Sequence, residues 1–486
     1  MAGSDSGGGA GIQADLHTFQ DFNVHGCSVI TAITAQNSFA VGHIQVSDHK
    51  TLATQINALD SDLPATAIKI GMLASSTTVE TVAKYLQDFN GTVVYDPVMA
   101  ASTGQDLINT EALTIIREQL LPHIDVLTPN IVEAEILSDS RIESIDDIQQ
   151  AAKKILSLGP RSVLITGGHF KVINGQRLDY WTNGETEYWL AGEDIDSVHT
   201  HGSGCTLSSA LAACIAQGYD ILDALVLAKA YISQGIRQAQ QLGGGPGPVA
   251  HGGFPNQLND LPKLYSKLPP SILKSDTPAL QFPSCNGTLG LYPVVDSIEW
   301  LEKLLPLGIK TIQLRIKDQT ETFLREAIQQ AVALAEKYNA RLFINDYWQL
   351  AIAAGAYGIH LGQEDLDDTD LAAIANAGLR LGVSTHSYYE IARAHGIQPS
   401  YIAIGPIYDT TTKVMKFSAR GLDNLTQWVA LLKETYPLTA IGGINQERAK
   451  LVLATGVQSV AVVTAITEAN DYKQAVSDLQ ASHQQA

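Results

Sequence analysis

The chain has 486 residues, enough for two or three domains, and 45% of them are hydrophobic, which can fill large cores. Its formal net charge of −19 excludes a general nucleic-acid or anionic-membrane surface, while leaving room for local cationic pockets. No apolar stretch approaches the roughly 18 residues of a membrane span, the N-terminus is polar and glycine-rich rather than signal-like, and Cys27, Cys205, Cys214 and Cys285 lack CxxC spacing, as suits reduced thiols in a cytoplasmic protein.

Taken in chain order, buried apolar runs at 27–34, 67–70, 92–95, 125–127 and 162–165 predict strands, with helices between them such as 76–89 and 146–158. About 250 residues of such units predict an α/β class, with an open, mostly parallel sheet sandwiched by helices over residues 1–257. Residues 258–286 carry Pro262, Pro269, Pro270, Pro278 and Pro283 with weak periodicity, and predict a linker. Residues 287–486 then hold eight apolar runs, at 290–295, 309–314, 341–344, 358–361, 379–383, 401–404, 438–441 and 459–463. Helical stretches such as 321–338 separate them. Eight alternating strands and helices predict a closed (β/α)8 TIM barrel, whose chemistry belongs at the C-terminal strand ends.

Those ends are chemically loaded. Arg315 and Lys317 follow the second run, Asn345 and Asp346 the third, Gln363 and Asp365 the fourth and Ser384 the fifth. Thr410 to Lys413 follow the sixth, Gly442 with Gly443 the seventh, and Thr464 the eighth. Cations, carboxylates, hydroxyls and glycines in that arrangement predict an enzyme handling a magnesium-bound phosphate ester. Read blandly, the cations are solvated and the two aspartates are helix caps.

The first half places its candidate chemistry in two glycine-rich turns. One spans residues 3–11 and opens a helix containing Asp15. The other is His201-Gly202-Ser203-Gly204-Cys205-Thr206, opening a second helix. Helix N-termini offer unpaired N–H groups and partial positive charge, so such turns suit phosphates, though a lone glycine turn can be a tight cap and nothing more. The chain contains neither GxxxxGK nor GxGxxG, which excludes those two phosphate-binding classes.

Seven ordered segments carry a resemblance over residues 1–257: AGSDSGGGAGIQADL from Ala2, GCSVITAITAQN from Gly26, KIGML from Lys69, DPVM from Asp96, TPNIVE from Thr128, GGH from Gly167 and HGSGCTLS from His201. The region resembles hydroxymethylpyrimidine/phosphomethylpyrimidine kinases of the ribokinase-like superfamily. That resemblance implies that Asp15 and Gln36 hold a pyrimidine, with Gly3, Met72 and Val98 shaping its pocket. It implies that Asn130 and Glu133 lie on the side of ATP and Mg2+. Gly202, Gly204 and Cys205 would form a catalytic anion hole. Cys205 stands where sugar kinases carry a catalytic aspartate, so it reads either as a thiolate base, its pKa lowered by the helix N-terminus, or as a passive cap. Two departures stand out. The family has a longer strand before the first glycine turn, so the central strand is expected to be missing before Met1. Thr166 also replaces a lysine that contacts ATP phosphate.

Residues 287–486 resemble thiamine-phosphate synthase, through LGLYPVVD from Leu289, QLRIKD from Gln313, FINDYW from Phe343, HLGQEDL from His360, GVSTH from Gly382 and AIGGI from Ala440. The resemblance implies that Gln313, Arg315, Lys317, Asn345, Ser384 and Lys413 grip a pyrophosphate and that Asp346 and Asp365 hold Mg2+. Thr410, Thr412, Gly443, Val463 and Thr464 would bind a thiazole phosphate, with Thr464 replacing the usual serine and Asp409 a usual proline. His360 reads as a packed barrel residue.

The two resemblances together imply a bifunctional enzyme of thiamine biosynthesis acting on small-molecule substrates, with ATP as co-substrate and no nucleic-acid or membrane partner. Self-association is left open. Two alternatives remain on the residues: a salvage kinase for pyridoxine-type alcohols, or a non-catalytic pyrimidine-binding module, fused to the barrel enzyme.

Overall fold

The computed structural model describes residues 1–100, 110–285, 287–409 and 419–485. The chain forms two compact units, Met1–Thr277 and Pro278–Ala486.

The first unit holds ten strands: β1 Ala2–Asp5, β2 Ile30–Gln36, β3 Val41–Val46, β4 Ala67–Ile70, β5 Thr92–Tyr95, β6 Val126–Leu127, β7 Val163–Ile165, β8 Gln176–Thr182, β9 Glu187–Glu193 and β10 Lys263–Tyr265. They form a three-stranded sheet, β1-β2-β3, and a seven-stranded sheet in the order β10-β9-β8-β7-β6-β5-β4. The run from β4 to β7 is parallel and the rest of the larger sheet is antiparallel. Apolar side chains fill the core around the parallel strands, including Ile70, Val93, Tyr95, Leu127 and Val163.

A short strand precedes the first glycine turn. β1 is present and pairs in parallel with β2. Met1 links it to β4, because its carbonyl accepts from the Gly71 amide at 2.9 Å and its amine donates to the Lys69 carbonyl at 2.7 Å. Below Met1 a cavity of about 300 Å3 lies against segments 24–29 and 65–69.

Residues of the expected linker carry structure of their own. β10 pairs with β9, Arg237 binds Asp260 at 2.5 Å, and Ile272 is buried in the first unit's core. Pro262 just precedes β10, which forms the end of the sheet, where a missing N–H is tolerated. The sequence pattern of prolines hid a folded edge.

The second unit is a closed eight-stranded barrel: β11 Gly290–Val295, β12 Thr311–Leu314, β13 Arg341–Asn345, β14 Gly358–Leu361, β15 Arg380–Thr385, β16 Tyr401–Ile404, β17 Leu438–Ile441 and β18 Ser459–Val462. Neighbours pair in parallel, and β11 closes on β18 with Gly290 opposite Ser459. The eight predicted runs are these eight strands, to within two residues at each end.

Tyr292, Phe343 and Tyr401 pack against one another inside the barrel, at ring centroid distances of 5.0 to 6.0 Å. Three such rings supply roughly 10–20 kcal/mol of gross driving force, against which chain entropy is set. Gly382 makes room for them: a Cβ there would lie 2.2 Å from the Tyr401 ring.

Candidate active sites in the two units

In the first unit the two glycine turns meet. Gly202 has φ +79°, and a Cβ on it would lie 1.9 Å from the Gly9 carbonyl oxygen, so only glycine allows this approach. Gly202 caps the helix Ser203–Ala216. The amides of its first turn, including Gly204 and Cys205, have no carbonyl partner within the helix.

A cavity of about 790 Å3 opens above these amides. Gly3, Gln36, Met72, Val98, Asn130, Glu133, Gly202, Gly204 and Cys205 all line it. The structure thus gathers the sequence-predicted kinase residues around one space, with a single exception. Asp15 lies beneath it and lines the smaller cavity. Its carboxylate accepts from Lys69 Nζ at 2.8 Å and from Ser209 Oγ at 2.6 Å. Lys69 and Asp15 are both nearly inaccessible. A buried pair of this kind holds helix Gly11–Asp21 to β4, with both contacts on Asp15 Oδ1.

The electrostatics bear on Cys205, which the sequence leaves as either a base or a passive cap. Burial pushes the Cys205 thiol up to about 12, with Lys69 opposing and Asp96 and Asp15 adding. Desolvation thus works against the helix N-terminus and against the thiolate form, although Cys205 is half-buried at the cavity wall. Its hydrogen bond to Asp96 helps hold that carboxylate down, while burial drives Asp96 to about 6, Lys69 opposing and Asp15 adding. Glu133 rises to about 8 through burial and then Asp96, against the amides of Asn130 and Met99. Asn130 and Glu133 also form a reciprocal capping box on helix Ile131–Ser138. Two buried carboxylates that resist ionising side by side are suited to a cation between or beside them.

In the second unit the polar residues gather at the C-terminal strand ends. Lys317 pairs with Asp346, and the Asn345 amide donates to the same carboxylate. Asp346 sits at φ +66°, a left-handed conformation that aims its carboxylate and that no strand pattern foretells. Burial raises the pKa of Asp365, and Asp346 raises it further while Lys317 opposes. Two carboxylates that repel, beside phosphate-directed cations, match the donor set of Mg2+, which takes one or two carboxylates and leaves its other positions to phosphate and water. No cluster of three acidic, histidine or cysteine ligands occurs among the described residues.

Ser384 ends a buried hydrogen-bond chain. Gln313 Nε2 donates to the Tyr292 hydroxyl at 3.2 Å, Tyr292 and Tyr401 hydroxyls lie 2.8 Å apart, and Tyr401 lies 2.7 Å from His360 Nδ1. His360 Nε2 lies 2.9 Å from Ser384 Oγ. Burial drives His360 down to about 4, with Asp346 opposing and Arg315 and His386 adding, so it is neutral. Each hydroxyl carries one hydrogen. If Tyr292 passes its hydrogen to Tyr401, Tyr401 to Nδ1, and Nε2–H to Ser384, every buried donor is used. The reverse sense would strand the Tyr292 hydrogen. Ser384 is thereby left to donate outward.

Gly443 takes φ +63°, its carbonyl accepting from Arg448 at 2.7 Å. Val463 caps the short helix Thr464–Thr467. Arg315 is fixed to the β11 end by its amide, which donates to the Val295 carbonyl at 2.7 Å. Thr410, Thr412 and Lys413 lie outside the described residues.

Sequence reasoning missed Asp5, Lys69, Tyr292 and Tyr401, and gave His201 no role. A lysine within the buried run Ala67–Ile70 was a usable signal, since a buried lysine needs a partner.

Comparison with known proteins gives a family for each unit. Residues 5–250 match the phosphomethylpyrimidine kinase family, and residues 291–466 match the thiamine monophosphate synthase family. A thiamine-phosphate synthase of Pectobacterium atrosepticum is 59% identical over 191 residues, covering 39% of this chain and 90% of that protein. One from Serratia proteamaculans is 57% identical over 198 residues, covering 41% and 93%. Among solved structures, a phosphomethylpyrimidine kinase from Clostridium difficile 630 is 39% identical, covering 48% of this chain and 95% of that one, at a TM-score of 0.43. An ADP complex of Bacillus subtilis pyridoxal kinase is 38% identical, covering 51% and 95%, at a TM-score of 0.47. The fold and sites define a pair of transferases, a ribokinase-like kinase and a TIM-barrel synthase. The chain belongs to the phosphomethylpyrimidine kinase family through its first unit and to the thiamine monophosphate synthase family through its second.

Proposed function

We propose that the chain carries out consecutive steps of thiamine biosynthesis, with the following division of labour among its residues. In the first unit, hydroxymethylpyrimidine and then its monophosphate bind near Gln36, Gly3, Met72 and Val98. ATP approaches from the side of Asn130 and Glu133. The amides of Gly202, Gly204 and Cys205 stabilise the charge on the phosphoryl group in flight. Positioning and charge stabilisation dominate this chemistry, so a protonated Cys205 is no obstacle. Thr166 is held by its backbone to Pro129, leaving the phosphates to the anion-hole amides.

In the second unit, Arg315, Lys317, Asn345 and Ser384, with Lys413, grip the pyrophosphate of the pyrimidine, and Gln313 anchors the buried chain behind them. Asp346 and Asp365 would hold Mg2+, which when bound supplies charge neutralisation for a leaving pyrophosphate. Thr410, Thr412, Gly443, Val463 and Thr464 would seat the thiazole phosphate. Departure of pyrophosphate leaves a pyrimidinyl-methyl cation, and the thiazole nitrogen attacks it. The protein's part is to align the partners and neutralise charge, with no general base needed. The four cysteines are unpaired, which suits the cytoplasm.

The observation that carries this reading is the clustering of Lys317, Asp346 and Asp365, with Ser384 hydrogen-bonded to His360 and Arg315 near enough to oppose protonation of that histidine. Incubating the chain with hydroxymethylpyrimidine and magnesium–ATP should accumulate the pyrimidine pyrophosphate, and adding thiazole phosphate should then consume it. Accumulation of monophosphate alone would contradict the two-step kinase assignment.

A further inference from the structure

Gln36 sits in a network with Asp5, His201 and Thr34. Asp5 accepts from the amides of Gly7 at 2.8 Å, Gly9 at 3.1 Å and Ala10 at 2.9 Å. Burial works against its charge, but hydrogen bonds from His201, Gly7 and Ala10 outweigh burial and keep it ionised. An ionised carboxylate only accepts. Its Oδ2 lies 3.3 Å from His201 Nε2, so that nitrogen carries a proton. The same nitrogen lies 3.3 Å from the Gln36 side-chain atom placed as Nε2, so that two nitrogens face each other. Facing an N–H, that end must be the carbonyl oxygen, since amide oxygen and nitrogen are interchangeable in shape and the network decides between them. The other end lies 3.5 Å from Thr34 Oγ1. Thr34 gives its hydrogen to the Ser4 carbonyl at 2.9 Å and so can only accept there. Both neighbours therefore demand the same orientation: carbonyl toward His201, NH2 toward Thr34 and the cavity. His201 is held in place by its backbone, which bonds Gly247 and Val249 at 3.2 and 3.1 Å. Its ring fills the space of a Cβ that Gly9 lacks, 2.7 Å from that position.

We propose that His201 is a positioning residue for substrate selection: backed by Asp5, it locks the Gln36 amide so that the cavity offers an N–H donor to an unprotonated ring nitrogen. The inference rests on the kinase reading of this cavity. A pyrimidine ring nitrogen is an acceptor and fits the locked amide. A pyridoxal-type ring carries a proton on its nitrogen in the zwitterion that prevails at neutral pH. It would need the carbonyl instead, which the lock turns away.

The test compares kcat/KM for hydroxymethylpyrimidine and for pyridoxal with the full chain. In His201→Ala the amide is released, and the preference for the pyrimidine should fall by about threefold to tenfold, the worth of one hydrogen bond. The change should appear in KM for the pyrimidine rather than in KM for ATP. His201→Gln, which returns an N–H to that place, should recover most of it. Thr34→Val removes the acceptor on the other side of the amide and should lower the ratio in the same direction. It keeps the test intact if His201→Ala does not fold. A ratio unchanged in a folded variant, or both substrates losing kcat/KM in parallel, overturns the proposal. A wild-type chain that phosphorylates neither alcohol overturns the kinase reading and this inference with it.

Discussion

Acid should weaken the barrel through one residue. His360 is held neutral in the folded chain, its pKa pulled from 6.5 to about 4, chiefly by burial. Above pH 6.5 the imidazole is neutral whether the chain is folded or not, and stability is at its full value. Between 6.5 and 4 only the unfolded chain takes the proton, so stability falls as pH falls, and the loss levels off below about 4. The whole shift is worth about 3 kcal/mol, of which about 2 kcal/mol is lost by pH 5. Urea unfolding of the unit Pro278–Ala486 at pH 7 and pH 5 measures this, with His360→Gln as reference. Glutamine keeps a donor and an acceptor but does not titrate. Asp365, whose pKa is raised, shifts stability in the opposite sense, but it is common to both proteins and cancels. Wild type should lose about 2 kcal/mol more than the variant over that interval. Equal losses would refute the placement of a neutral, buried His360 in the hydrogen-bond chain.

Arg315→Ala should leave the fold intact and lower synthase kcat/KM about 10-fold to 100-fold, as expected for a lost charge-assisted contact; a folded variant with wild-type kinetics would remove Arg315 from the site. Chelation should abolish synthase activity, and Asp346→Asn or Asp365→Asn should raise the magnesium needed for half-maximal rate; superimposable titrations would end the metal assignment. Cys205→Ser should slow phosphoryl transfer by less than about threefold, or ~0.7 kcal/mol, because burial works against the thiolate; a larger loss in a folded variant would favour the thiolate base. Cutting the chain between Thr277 and Pro278 should release a barrel that folds and acts alone, whereas cutting at Pro269–Pro270 should strip Ile272 from the first unit's core and the Ile272 carbonyl from Asn174.

The barrel was legible because its strands are buried on both faces. Each one reads as an unbroken apolar run ending at a polar or glycine cluster. The antiparallel β8 and β9 were not: Arg177 and Asp179 interrupt the apolar run of the first, and the second, though apolar at its centre, is rich in aromatics and closed by glutamates. β10 was hidden by neighbouring prolines that an edge position tolerates. In the kinase cavity the residues named by motif converge, Asp15 excepted, because a motif fixes order along the chain and not which side of a helix faces the cavity. Cys205 shows the same limit: its helix-terminal position was visible, whereas the surroundings that oppose its ionisation were not. Tyr292, Tyr401 and His360 lie on three strands up to 109 residues apart, and only barrel closure brings their polar atoms together.

The central claim is that one chain joins a pyrimidine kinase to a thiamine-phosphate synthase. The most direct measurement supplies the full chain with hydroxymethylpyrimidine, thiazole phosphate and magnesium–ATP, and follows thiamine phosphate and released pyrophosphate together. The account predicts both products in equal amounts, with neither formed when ATP or thiazole phosphate is withheld. Thiamine phosphate appearing only when the pyrimidine pyrophosphate is added ready-made would contradict it.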